Sequence, residues 1–295
     1  MNDTIVAIST ALGEGAISII RVSGDDAIKI INPLFDGKDL EKASSHTINY
    51  GHIVYNGEII DEVLLSIMKA PKTYTKEDVI EINTHGSIAV VNKIMEILLL
   101  EGCRLAEPGE FTKRAFLNGR IDLTESEGVM DLINSETELT RKMAINELSG
   151  NVSRLITDTR EDIISLISNI EVNIDYPEYE DIEVVTINKI REKVREIKEK
   201  LLKTLKLSED GKILKNGIKT VILGKPNVGK SSLLNALLEE EKAIVTDVKG
   251  TTRDIVEGSI LVGGVKLNLI DTAGVRKSDD IVEKIGIEKS LSLID

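Results

Sequence analysis

The string Gly224-Lys225-Pro226-Asn227-Val228-Gly229-Lys230-Ser231-Ser232 has the residue types and spacing of a loop that wraps phosphate. Glycines at 224 and 229 let successive backbone N–H groups turn toward an anion with no Cβ in the way. A helix starting near Lys230 would add the positive end of its dipole. Lys230 would then reach the β- and γ-phosphates of a nucleoside triphosphate, and the Ser231 hydroxyl would ligate Mg²⁺. Average composition gives this pattern by chance in about 1% of chains of such length, so a strand before it and a helix after it make coincidence a poor explanation. Two further segments follow in the order that phosphoryl transfer requires. Gly250-Thr251-Thr252-Arg253-Asp254 stands where a first switch loop would be, with Thr252 able to close onto Mg²⁺ when a γ-phosphate is present. Asp271-Thr272-Ala273-Gly274 follows an apolar run. Asp271 would hold Mg²⁺ through water, and the Gly274 N–H would meet the γ-phosphate.

The elements that must position these loops are legible as three changes of pattern. Residues 1–118 mix short β-like runs with helices. Runs 4–10 and 16–22 are β-branched and apolar around the turn Gly13-Glu14-Gly15, and runs 48–54 and 59–68 flank Asn56-Gly57, a pair that accepts positive φ and signals a hairpin. Residues 87–100 carry helical spacing. Residues 119–215 read as helical: 129–147, then 152–174 up to the break at Tyr176-Pro177, then an amphipathic helix through Ile187, Ile190, Val194, Ile197, Leu201 and Leu205, ending at Ser208-Glu209-Asp210-Gly211. Residues 216–295 begin with a buried strand at 218–223, then the glycine loop and a helix at 233–238, then strands at 256–262 and 265–270. The expected fold is a multidomain α/β protein: an N-terminal α+β domain, a helical middle and a partial nucleotide-binding α/β domain. In the usual strand order of such domains the 218–223 strand would form a bare apolar edge, which predicts a poorly stable nucleotide domain with little turnover.

The chain has 295 residues, 41% hydrophobic and 29% charged, a globular profile. No apolar run approaches the roughly 20 residues that span a bilayer, and the start Met1-Asn2-Asp3-Thr4 lacks the basic and apolar regions of a signal peptide. The expectation is a cytoplasmic protein that does not enter a membrane. A net charge of −13 argues against a generally basic nucleic-acid groove, and 3% aromatic residues with no Trp leave few platforms for exposed bases. Cys103 is the single cysteine, which excludes an internal disulfide and reads as a small buried hydrophobe.

With these residues in place, the chain resembles the MnmE/TrmE family of tRNA-modification GTPases. The resemblance is carried by Asp3-Thr4-Ile5-Val6-Ala7, Ile19-Ile20-Arg21-Val22-Ser23-Gly24, Tyr74-Thr75-Lys76-Glu77-Asp78 and His85-Gly86. It continues through Pro108-Gly109-Glu110-Phe111-Thr112-Lys113-Arg114-Ala115-Phe116-Leu117-Asn118-Gly119, the phosphate-loop segments and Val282-Glu283-Lys284-Ile285-Gly286-Ile287-Glu288. It implies an N-terminal domain similar to folate-binding aminomethyltransferases, which forms a homodimer and takes a 5-formyltetrahydrofolate-type folate. Arg21, Glu81 and Arg120 match its folate-contacting positions. It implies a GTP/GDP site that uses Mg²⁺ at Ser231 and Thr252. A K⁺ ion is implied at Asn227, Thr246, Val248 and Thr251, and a switch glutamate, Glu283, that helps orient the attacking water. It implies an FAD-containing partner protein and tRNA, with modification at C5 of the wobble uridine. The family usually shows two prolines before its first glycine-rich turn, where this chain has Ala11-Leu12-Gly13-Glu14-Gly15-Ala16, and its guanine-reading Asn-Lys-x-Asp motif does not occur before Asp295. Two alternatives stand beside this reading: a non-hydrolytic folate-binding and dimerisation module, and a ribosome-assembly GTPase sharing the Asn-containing phosphate loop.

Overall fold

The computed structural model describes residues 3–11, 13, 15–176, 187–221, 232–233, 236, 243–244 and 256–270. It divides into two compact units, Met1–Glu127 and Gly128–Asp295.

The first unit is built on β1 (Ile5–Ile8), β2 (Gly15–Ser23), β3 (Phe35–Asp36), β4 (Thr47–Tyr55), β5 (Glu58–Met68), β6 (Val79–Gly86) and β7 (Arg104–Leu105). They form one seven-stranded sheet in the order β3-β4-β5-β6-β2-β1-β7. Every pairing is antiparallel except β1 with β7. The β4–β5 turn is the expected Asn56-Gly57 pair, at φ 51° and 81°. Strand alternation sorts the side chains. Ile20, Val22, Leu65, Ile67, Ile80 and Ile82 are wholly buried and point to one face. Against that face pack α1 (Ala27–Ile31) and α2 (Ile88–Leu100), the latter through Val91, Ile94, Ile97 and Leu98. Cys103 is buried in the same core, and burial pushes its thiol up to about 11, which makes it a packing residue as expected. The other face carries Arg21, Glu81 and Asn83. It exposes Ile17, Ile48, Tyr50 and Leu64. After β7, α3 (Glu110–Leu117) completes the unit.

In the helical region, α4 (Leu123–Ile133), α5 (Glu138–Leu148), α6 (Asn151–Asp175) and α7 (Ile187–Asn216) depart from expectation in two places. The stretch 129–147 is two helices rather than one. The Thr137 hydroxyl accepts the Thr140 N–H at 3.0 Å and the Thr140 hydroxyl answers the Thr137 N–H at 3.1 Å, a capping box that starts α5. Nor does α7 end at Ser208-Glu209-Asp210-Gly211; it runs on to Asn216. Gly211 keeps helical geometry, and its missing side chain admits Met143, whose methyl lies 3.0 Å from where a Cβ would stand. The helix stops at Gly217, with φ 74°, where Asn268 donates from Nδ2 to the Asn216 carbonyl at 2.8 Å.

The second unit's sheet has the order β8-β11-β10-β9, from β8 (Ile218–Val221), β9 (Ala243–Ile244), β10 (Val256–Val262) and β11 (Val265–Ile270). β9 is a strand that hydropathy did not signal. β8 stands at the edge among the described strands, as expected. The chain is thus a multidomain α/β protein.

Candidate functional site

Period-2 alternation puts Arg21 on the open face of β2, between Ile20 and Val22, which point into the core. The antiparallel register sets Glu81 of β6 directly opposite. Arg21 donates from Nε to Glu81 Oε1 at 2.8 Å, and its Nη2 lies 2.7 Å from the same oxygen. Both side chains are half-buried. The Arg21 guanidinium carbon is 5.8 Å from the centroid of Tyr74 and 5.6 Å from that of Phe111. Arg120 lies 5.0 Å from the same Tyr74 ring. Tyr74 is fixed at its other end by a 2.9 Å hydrogen bond between its hydroxyl and Thr112 Oγ1. The structure therefore brings Arg21 and Arg120, 99 residues apart in sequence, to one ring, with Glu81 held against Arg21.

Local sequence explains how Arg120 arrives there. The Pro108-Gly109 turn opens α3, Gly109 taking φ 76°, and Gly119 closes it at φ 67°. Gly119 donates its N–H to Phe116 and Arg120 donates to Ala115 at 2.8 Å, so a left-handed glycine after the helix turns the chain back. Lys76 then holds the Gly119 carbonyl at 2.8 Å, and Asn118 Nδ2 holds the Thr75 carbonyl at 2.7 Å.

The electrostatics are asymmetric. Arg21 is neutralised by Glu81, so this pair can offer a neutral ligand ring both donors and an acceptor. Arg120 is exposed on Tyr74, with no carboxylate partner among the described residues, and suits an anionic group. Four residues further along β6, His85 is held by Asp61, which accepts from the His85 backbone N–H at 2.9 Å and pairs with Nδ1 at 2.7 Å. The carboxylate raises the imidazole pKa above its ordinary value.

Sequence reasoning missed Tyr74 and Phe111. A signal was available: of only three Phe and five Tyr, these two lie inside the quoted Tyr74-Thr75-Lys76-Glu77-Asp78 and Glu110-Phe111-Thr112 strings.

Of the nucleotide-site residues, Ser232 is described, exposed in a helical segment. Gly224, Asn227, Val228, Gly229, Lys230, Ser231, residues 246–252, residues 271–274 and Glu283 lie outside the described residues. What the structure does give is the register leading to them. β8 and β11 are parallel neighbours ending at Val221 opposite Ile270. The chain therefore enters residues 222 and 271 from the same end of adjacent strands, the carboxyl end at which ligands of open α/β sheets bind.

Fold and site define a two-part α/β protein: a mostly antiparallel sheet unit with an aromatic–guanidinium cluster, and a second unit of helices and a four-stranded sheet. The chain belongs to the MnmE/TrmE family. The family model for the GTP-binding protein TrmE N-terminus matches residues 4–120, and that for the MnmE helical domain matches residues 123–291. Among curated relatives, the tRNA modification GTPase MnmE of Streptococcus thermophilus (strain CNRZ 1066) is 59% identical over 293 residues. Proteins of that name from Ligilactobacillus salivarius (strain UCC118) and Bacillus thuringiensis (strain Al Hakam) are 58% identical over 295 residues and 56% over 294. Each alignment covers 99% of this chain, which spans 64% of the length of those relatives. Among the described residues no helix is long and apolar enough to cross a membrane.

Proposed function

We propose that this chain is a folate- and GTP-binding component of cytoplasmic tRNA modification. The observation that carries the reading is the convergence of Arg21, with Glu81 paired to it, and Arg120 on Tyr74. In the first unit, the Arg21–Glu81 pair would meet the N–H and C=O edge of a 5-formyltetrahydrofolate-type ring, and Arg120 its glutamate carboxylates. The apolar side chains Ile17, Ile48, Tyr50 and Leu64, exposed on the same sheet face, support a homodimer formed through this unit.

In the second unit, Gly224, Val228, Gly229, Lys230 and Ser232 would wrap the phosphates. Asp247, Lys249, Gly250, Thr272, Ala273 and Gly274 would close over them. Ser231 and Thr252 would ligate Mg²⁺, with Asp271 reaching it through water. Asn227, Thr246, Val248 and Thr251 would hold K⁺, and Glu283 would orient the attacking water. The two cations would supply positive charge where it builds up on the transferred phosphoryl group. An FAD-containing partner would join this protein in modifying C5 of the wobble uridine, and a partner with basic surface would complement a chain of net charge −13. The relatives' shared name and the TrmE N-terminal match favour this over ribosome assembly.

The test is equilibrium titration with 5-formyltetrahydrofolate of the wild type and of Arg120→Ala. Saturable binding that weakens about 10–100-fold in the variant, with unchanged thermal stability, is the expected result. Equal affinity in both proteins would remove Arg120 from the site.

A further inference from the structure

The side chains of the cluster come from three separate segments: β2 with Arg21, the 73–78 loop with Tyr74, and α3 with its exit, bearing Phe111 and Arg120. Something must hold their spacing, because a ring slot works only if its walls stay a fixed distance apart.

Behind the cluster lies a polar network. Arg114, on α3 one turn after Phe111, is 1% exposed. It donates from Nη1 to the Asp3 carbonyl at 2.8 Å and to Glu77 Oε1 at 3.1 Å. From Nη2 it donates to Asp3 Oδ1 at 2.7 Å and to Glu110 Oε1 at 3.2 Å. Arg104 closes the far side, donating to Glu110 at 2.5 Å and to Asp3 at 2.6 Å. Glu77, three residues after Tyr74, also accepts from Ser23 Oγ at 2.8 Å. Ser23 is two residues after Arg21 on β2 and shares a 2.7 Å hydrogen bond with Thr75. The chain Ser23–Glu77–Arg114 therefore ties all three segments together, each tie within three residues of a cluster member.

We propose that Arg114, acting through Glu77, is a positioning residue that sets the spacing of Arg21, Tyr74, Phe111 and Arg120. A flat fork fits this task. It reaches Asp3, Glu77 and Glu110 at once from fixed directions, which an ammonium group on a flexible stem does not reproduce. The inference rests on the folate reading for its ligand, but the spacing itself is a property of the protein alone. Ser23 and Arg114 are buried, so they act through Arg21, Tyr74 and Phe111.

The test uses Glu77→Gln, which keeps the shape and removes the charge, and Ser23→Ala, which removes one tie and leaves the Arg114 hydrogen bonds to Asp3, Glu77 and Glu110 in place. Two quantities are read. One is the Nε–H resonance of Arg21, whose position reports the Tyr74 and Phe111 ring currents without any ligand. The other is the affinity for 5-formyltetrahydrofolate. Both variants are expected to move the resonance and weaken binding about tenfold, and Arg114→Lys is expected not to preserve either wild-type value. A merely structural role would lower the melting temperature and leave both readouts in place. An unmoved Arg21 resonance in folded Glu77→Gln and Ser23→Ala overturns the proposal whether or not folate binds. A moved resonance with wild-type affinity overturns it too. If the wild type takes up no folate while the resonance moves in both variants, the frame stands and the folate reading fails.

Discussion

Glu110→Gln isolates the electrostatic part of the frame, and its effect should depend on pH in a defined direction. The Glu110 side chain is 4% exposed and accepts four hydrogen bonds: two from Arg104, one from Arg114 and one from the Glu107 N–H at 2.7 Å. Arg104 first, with the Glu107 N–H and Arg114 behind it, holds the carboxyl at about 2 against an ordinary 4.5, although burial works the other way. A lowered pKa contributes stability that is complete above the ordinary value and is lost as pH falls toward the folded one. The ceiling at pH 7 is about 3 kcal/mol, falling to about 1.4 kcal/mol at pH 3, where the unfolded carboxyl is protonated and the folded one is still mostly ionised. Arg104 is 44% exposed, and solvent screening reduces the neutral-pH figure to about 1–2 kcal/mol. Urea unfolding of wild type and variant at pH 7 and pH 3, followed by circular dichroism, should show the destabilisation shrinking by more than half. An equal loss at both pH values would mean that packing, not charge, is what Glu110 contributes.

Three other outcomes follow. Gly86→Ala should destabilise the first unit by about 3 kcal/mol or more, because a Cβ there would stand 2.0 Å from the Gly15 carbonyl oxygen across the β2–β6 pair; thermal melting checks it. A double-mutant cycle on Lys266 and Glu136, 2.6 Å apart and half-buried, should give a coupling of about 1 kcal/mol in urea unfolding, and a coupling near zero would remove the pair from the joint between α4–α5 and β11. Asp61→Asn should lower the His85 pKa toward its ordinary value in an NMR titration. Since that pKa is raised, the pair's stabilisation is complete below the ordinary histidine value and is lost as pH rises through the raised one.

Local chemistry made much of the first unit readable. Asn56-Gly57 announced its hairpin by its tolerance of positive φ, and the β-branched runs on either side announced the strands. What escaped was set by tertiary partners. Thr137 splits a periodic stretch because its hydroxyl finds Thr140, which hydropathy does not encode. Gly211 stays helical because Met143 fills the space beside it, overriding a sequence that reads as a stop. At the site, Arg21, Glu81 and Arg120 were marked by family resemblance, and periodicity alone would have left each as a surface charge. Tyr74 and Phe111 went unread because their role lies in what they approach, Arg21, 53 and 90 positions earlier in the chain, not in their own neighbourhood. The nucleotide loops show the converse: residue spacing defines them strongly, and the structure contributes the parallel register of β8 and β11 that leads into them.

The central claim is one chain with two ligand sites. Isothermal titration of this 295-residue protein with 5-formyltetrahydrofolate, and separately with GDP and Mg²⁺ in potassium buffer, tests it most directly. The account predicts a saturable heat for each ligand, with Arg120→Ala weakening only the folate heat and Lys230→Ala only the nucleotide heat. Absence of the folate heat in the wild type would contradict the reading of the Arg21–Glu81–Tyr74–Arg120 cluster, and absence of the nucleotide heat would contradict a GTP site in this chain.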